Sequence, residues 1–162
     1  MIGGPRIKRI EDCDWQEMSR FQYKDGRTAS IWECWVEHSP RFLAFYNRWD
    51  PGALSPLHGH HGDHTNLIVK GSLTGPAGTV RAGDHIMLEY GDLFGPWEAG
   101  PEGCELYGVV AGEGSAYMGD RKVWEDFLAE RGAVSVPVPM PRVPPWWADR
   151  VRQSTVVNWI EE

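Results

Sequence analysis

Four of the six histidines fall in one short stretch, GALSPLHGHHGDHTNLIVKG, residues 52–71: His58, His60, His61 and His64. Neutral imidazole is the commonest metal-ligating side chain. His58 and His60 are two positions apart, so on an extended strand they share a face. His64 follows a Gly62-Asp63 pair, which favours a turn. A strand, a turn and a returning strand therefore bring His58, His60 and His64 to one point. His61 alternates to the opposite face, towards solvent or behind the ligands. Three neutral nitrogen donors suit one divalent transition metal: iron, zinc, copper or nickel. On the returning strand Asn66 shares the face of His64, so it is expected to point inward and bond a ligand or water.

The elements that carry these residues read as strands. Nineteen glycines and twelve prolines in 162 residues imply many turns and a β-rich architecture in one domain. Residues 29–37, ASIWECWVE, are rich in strand formers, with Ile31, Glu33, Trp35 and Glu37 on one face; the alternation leaves open which face is inside. Residues 41–49, RFLAFYNRW, form the next strand. Residues 71–78 read as loop and short strand, 79–88 as a strand entered through a turn, 95–103 as a turn-rich connection, and CELYGVVAGEG as a further strand. In RKVWEDFLAER, residues 121–131, Val123, Trp124, Phe127 and Leu128 recur at helical spacing and Gly132 supplies a stop. Residues 1–28 read as an arm against the barrel or a dimer partner. The VPVPMPRVPPWW stretch must be extended because its prolines lack donors. Trp146 and Trp147 at its end point to docking on an apolar surface. Nine tryptophans serve core packing, or, on a sharper reading, a stacking surface for aromatic ligands.

Residues 52–71 resemble the first conserved motif of the cupin superfamily: glycine, five residues, His-x-His, three residues, an acid, six residues, glycine. Gly52, His58, His60, position 64 and Gly71 fall on that spacing, with His64 where the acid is usual. Residues 79–98 resemble the second motif in part. Gly83 and Gly91 match, but Glu89 stands for the usual proline, Phe94 for the fourth metal-binding histidine and Glu98 for asparagine. The resemblance spans roughly residues 40–112. It implies an all-β fold: a single cupin barrel of double-stranded β-helix, jelly-roll type, over about 29–118. An N-terminal arm, the 121–131 helix and an extended tail over 133–162 complete the one domain, 1–162. It also implies a homodimer.

The expected metal set is His58, His60 and His64, with Fe(II) first and Zn, Mn or Ni as alternatives. Replacing a carboxylate by imidazole makes such a site more positive by one charge, which favours an anionic, metal-chelating small molecule. The expected function is a mononuclear non-haem iron oxygenase. Among cupins, all-histidine iron sites resemble those of enzymes that cleave thiols or diketones with oxygen. A non-redox zinc or manganese lyase, isomerase or cyclase is the second reading, and a non-catalytic ligand-binding or sensing module the third. His85, Glu89 and Glu98 are candidate fourth ligands, the two glutamates alternatively general bases, and Tyr107 a further catalytic candidate. Asn66, His85, Tyr90, Phe94 and Trp97 are expected to line the substrate pocket, with Phe94 as an apolar wall. Cys13, Cys34 and Cys104 give no disulfide framework. A formal charge of −7 argues against a nucleic-acid partner. No run approaches the roughly 18 apolar residues of a membrane span, and the first residues lack the apolar core of a signal peptide, so cytoplasmic residence is expected.

Overall fold

The computed structural model describes residues 4–147. Eleven strands account for most of them: β1 Trp15–Tyr23, β2 Thr28–His38, β3 Phe42–Trp49, β4 Leu54–Ser55, β5 His58–His60, β6 His64–Gly75, β7 Gly78–Arg81, β8 His85–Leu88, β9 Trp97–Ala111, β10 Ala116–Met118 and β11 Ala133–Val136. One helix, α1, spans Arg121–Arg131. Nine strands form an antiparallel sheet whose main path is β11-β1-β2-β3-β9-β6-β7, with β4 on β9 and β8 on β6; β5 and β10 pair separately. No helix among the described residues is long and apolar enough to cross a membrane.

Four departures from the sequence reading concern where strands begin and end. Residues 15–23 are not a loose arm: β1 pairs with β2 and places Phe21 and Tyr23 in the core. The tail starts as β11, which pairs with β1 from Tyr23↔Ala133 to Arg20↔Val136, so the sheet extends beyond the expected 29–118 on both sides. Residues 148–162 of that tail lie outside the described residues. The 71–78 stretch is a hairpin of β6 and β7 closed by Pro76 and Ala77. The 95–103 stretch is the start of β9 from Trp97 onward; Gly100, Pro101 and Gly103 sit where its pairing with β6 shifts register. Glycine and proline signalled a turn there, and a bulge within a strand uses the same residues.

Pairing register defines the barrel interior, because directly paired residues point to the same face. His38, Leu43, Val110, His64 and Leu88 form one such row across β2, β3, β9, β6 and β8. Trp35, Phe45, Gly108, Asn66 and Ile86 form the next row, and Glu33, Asn47, Leu106 and Ile68 the one below. A register shift between Trp35 and Glu37 turns His38, rather than Glu37, to the inside. Leu43, Phe45, Ile68, Leu106 and Val110 supply the buried apolar surface of this interior. Helix α1 packs on the β1 end of this same interior face, since Phe21 pairs with Ala29 and so shares the side of Ile31, Glu33 and Trp35. Asp120 caps it by accepting from the Lys122 N–H at 2.7 Å. Gly132 ends it at φ 60°, a left-handed conformation that glycine adopts without strain. Its apolar face packs Trp124 edge-on to Phe21 at 5.9 Å between ring centroids.

Candidate metal centre

The three motif histidines meet inside the barrel. The His58 and His60 rings lie 5.4 Å apart and the His60 and His64 rings 4.6 Å apart, centroid to centroid. Strand β5 presents the first two on one face, and the 61–63 turn returns the chain so that β6 brings His64 opposite. Gly52 and Gly71 flank the stretch at φ 76° and 70°, and a side chain at Gly71 would run into the Gly103 carbonyl. The glycine positions of the motif are thus set by backbone geometry.

Each imidazole has one nitrogen committed. His58 Nδ1 bonds the Pro56 carbonyl at 3.0 Å, and His60 Nδ1 bonds the Gly114 carbonyl at 3.2 Å. A carbonyl only accepts, so both Nδ1 atoms carry the proton and both Nε2 atoms keep a lone pair. His64 is engaged the other way round: its Nε2 bonds Asn66 Oδ1 at 3.0 Å. That leaves His64 Nδ1 buried with no hydrogen-bond partner. Burial holds the rings neutral. The pKa of His58 is lowered by loss of solvation. His60 is pushed down to about 3 by the same cause and by its two neighbouring imidazoles. His64 falls to about 4 through burial and the nearby His58.

These observations test the fit of a metal. Neutral rings, lone pairs and second nitrogens tied to oxygens are what transition-metal ligation asks of histidine. The unpartnered Nδ1 of His64 is a bare lone pair with no N–H or O–H facing it, and a cation would satisfy it. Among the described residues no group of three His, Cys, Asp or Glu side chains stands as a ready-made metal site. The chemistry of the three rings fits an ion.

Other residues singled out in the sequence divide into two groups. Asn66, Phe94 and Trp97 are inside. Asn66 is 1% exposed. Phe94 packs on His58 at 5.5 Å, on His64 at 5.9 Å and on Trp97 at 5.5 Å. Its backbone pairs with that of His58, so the aromatic ring fills the position where the second motif usually has a ligand. Trp97 Nε1 is buried without a partner. His85, Glu89, Tyr90, Glu98 and Tyr107 are placed away from the pocket. His85 pairs with Leu67 on the outer face and bonds the Thr65 hydroxyl. Glu89 begins an exposed turn, its N–H bonded to Asp92. Tyr90 is 66% exposed. Tyr107 is 37% exposed because Leu106 and Gly108 take the inward positions of β9. Glu98 alternates outward from Trp97 and forms an ion pair with Arg131 of α1 at 2.7 Å. His61 is exposed, against Tyr117 at 5.2 Å. All three cysteines are free and buried, and Cys104 is three rows from His64, beside Trp49.

Two interior groups went unassigned in the sequence. Glu33 accepts a hydrogen bond from Trp35 Nε1 and another from Asn47 Nδ2 at 2.8 Å. Burial raises its carboxyl pKa, an effect only partly offset by those two donors. His38 bonds the Glu113 carbonyl through Nε2 at 3.0 Å. The signal was the alternation of residues 29–37, and the bulge after Trp35 broke it.

No protein-family model and no curated protein matches the chain. Solved structures do resemble it. An acetylacetone dioxygenase from Acinetobacter johnsonii is 14% identical with a TM-score of 0.56, over 75% of this chain and 82% of that one. The polyketide cyclase RemF from Streptomyces resistomycificus is 19% identical with a TM-score of 0.52, over 70% and 85%. An RmlC-like cupin from Shewanella frigidimarina is 14% identical with a TM-score of 0.53, over 76% and 99%. At such identities the likeness speaks for the fold, and it agrees with the histidine spacing and the sheet order: this chain has the double-stranded β-helix fold of the cupin superfamily.

Proposed function

We propose that this protein is a metal-dependent enzyme acting on a small molecule, with His58, His60 and His64 holding one divalent transition metal, and that its reaction is an iron-dependent oxygenation. The observation that carries the reading is the shared arrangement of three neutral imidazoles, His64 buried and His58 and His60 largely so, each with one nitrogen bonded to an oxygen and the other left with its lone pair. A bound Fe(II) supplies an electrophilic centre for a chelating oxyanion and the capacity to activate dioxygen.

The chain's own residues prepare the site. Pro56 and Gly114 carbonyls fix the ring orientations of His58 and His60, and Asn66 fixes that of His64. Phe94 and Trp97 exclude water from one wall and present an apolar surface to the substrate. With no acidic side chain among the three ligands, an anionic substrate meets no repulsion from them. Acetylacetone is a suitable first compound, since one solved structure of this fold is a dioxygenase for it.

The test is metal analysis of protein purified without added metal, followed by oxygen uptake with acetylacetone, thiols and phenols, beside a His60→Ala control. About one iron per chain, lost in the control, together with substrate-dependent oxygen uptake, is the expected result. Turnover that proceeds without oxygen on zinc or manganese would replace oxygenation by the lyase, isomerase or cyclase reading. Metal content unchanged by His60→Ala would overturn the centre itself.

A further inference from the structure

The segment after β11 does not trail away. Arg142 clamps it to the start of β1 through an ion pair with Asp14, Nε to Oδ2 at 3.0 Å, and through its own N–H to Gln16. Four and five residues on, Trp146 and Trp147 fold onto His38 and Trp35. Their rings lie 4.8 Å and 5.1 Å from the His38 ring, and Trp147 lies 6.0 Å from Trp35. His38 and Trp35 belong to the two uppermost interior rows, the same rows that hold His64 and Asn66. The tryptophans therefore cover the β2 side of the barrel's histidine end.

This cover is imperfectly satisfied. His38 Nδ1 and Trp147 Nε1 are both buried and neither has a hydrogen-bond partner among the described residues. Their roles follow from chemistry. His38 donates from Nε2 to the Glu113 carbonyl, so Nδ1 of the neutral ring is a bare acceptor, whereas indole Nε1 can only donate. An acceptor and a donor are thus left within one cluster of aromatic rings. Leaving such groups unpaired is costly, so native structures fill these gaps with a water or a ligand. One hydroxyl answers both, because it donates once and accepts as well. The surrounding indole faces and edges favour a planar, apolar carrier for it.

We propose that Trp35, His38, Trp146 and Trp147 form a binding subsite for a planar hydroxyl, phenolic or enolic, on the substrate. This deepens the enzyme reading above by naming a substrate class, and it rests on that reading for its role in turnover. The cluster adjoins the metal centre: Glu113 and Gly114, consecutive residues, hold His38 and His60 respectively. A ring seated there with its hydroxyl between His38 and Trp147 directs its remaining atoms towards the histidines. Glu33 sets the floor of the subsite by accepting from the Trp35 indole.

The test uses the full chain stripped of metal, so that failure of the metal centre cannot mimic failure of the subsite. Phenol and anisole are titrated by calorimetry into the wild type and Trp147→Phe, which keeps an aromatic ring and removes the N–H. Phenol should bind about tenfold more tightly than anisole, and Trp147→Phe should lose about that factor for phenol alone, the scale of one buried hydrogen bond. In the wild type, one indole N–H resonance should move on adding phenol and stay in place on adding anisole; this measurement serves if the variant does not fold. Equal affinities for the two compounds, no binding of either, or a preference that survives Trp147→Phe with no indole shift would overturn the subsite.

Discussion

His38 and His60 are held by adjacent carbonyls of one turn: Glu113 O lies 3.0 Å from His38 Nε2, and Gly114 O lies 3.2 Å from His60 Nδ1. The 112–115 turn between β9 and β10 thus sets both the His38 cluster and the candidate metal centre. Neither histidine is adjacent to it in sequence. Its backbone conformation decides where both rings point, because each ring takes its tautomer from the carbonyl it meets.

Gly114→Ala should therefore disturb both rings together. Gly114 sits at φ 79°, and a Cβ there would press on the Leu43 side chain, which is buried. Strain and overpacking of this kind cost roughly 1–3 kcal/mol. Urea denaturation should show that loss, and metal content at fixed added metal should fall with it. A variant with wild-type stability and wild-type metal content would show that the turn does not carry this constraint.

A second expectation concerns Asn66. Its Oδ1 is the acceptor for His64 Nε2, and Asn66→Ala leaves that N–H buried without a partner. Replacing the acceptor should lower stability by about 1–3 kcal/mol. Metal affinity should drop roughly 10- to 100-fold, the usual scale for losing a group that orients a ligating histidine. Competition with a chelator measures the affinity, and an unchanged value with reduced stability would leave Asn66 with a packing role only.

The sequence carried the centre of the barrel better than its edges. Histidine spacing and turn glycines are local, so strand geometry alone brought His58, His60 and His64 to one place, and the alternation from His64 put Asn66 beside them. Helix α1 was equally legible, since Trp124, Phe127 and the Gly132 stop are all within one element. The membership of β11 was not legible, because its pairing with β1 joins residues more than 100 positions apart. Glu89 and Glu98 were placed by spacing from a second motif only partly present, and Tyr90 and Tyr107 were taken with them as aromatic pocket candidates. Their faces depend on strand register, and β9 turns Leu106 rather than Tyr107 inward. His38 was missed because a one-residue shift reverses every side chain beyond it.

Glu98 illustrates what the outward placement implies. Its carboxylate is paired with Arg131 at 2.7 Å, and Arg131 also lies over the Phe127 ring at 3.4 Å from the centroid. Glu98→Gln should leave metal content and turnover at wild-type levels. It should cost no more than about 1 kcal/mol, as expected for a partly exposed ion pair. Loss of turnover with intact stability would return Glu98 to the list of proton-transfer groups.

Glu33 gives the chain a pH dependence whose sign can be worked out. Burial raises its pKa in the folded protein above 4.5, the ordinary value for glutamate, while hydrogen bonds from Asn47 and Trp35 work the other way without cancelling the shift. Between 4.5 and the raised folded value the folded chain keeps a proton that the unfolded chain releases. Stability from this group is therefore complete below 4.5 and declines as pH rises through that window, with a slope of at most about 1.4 kcal/mol per pH unit. Glu33→Gln cannot titrate, so its urea midpoint should lack this decline, even if its absolute stability is lower because an amide N–H now faces the Trp35 or Asn47 donor. Denaturation of metal-free wild type and Glu33→Gln across that range measures the difference in slope. Parallel curves would mean that Glu33 is already ionised inside the barrel, held so by its two donors, and that Trp35 is anchored on a charge.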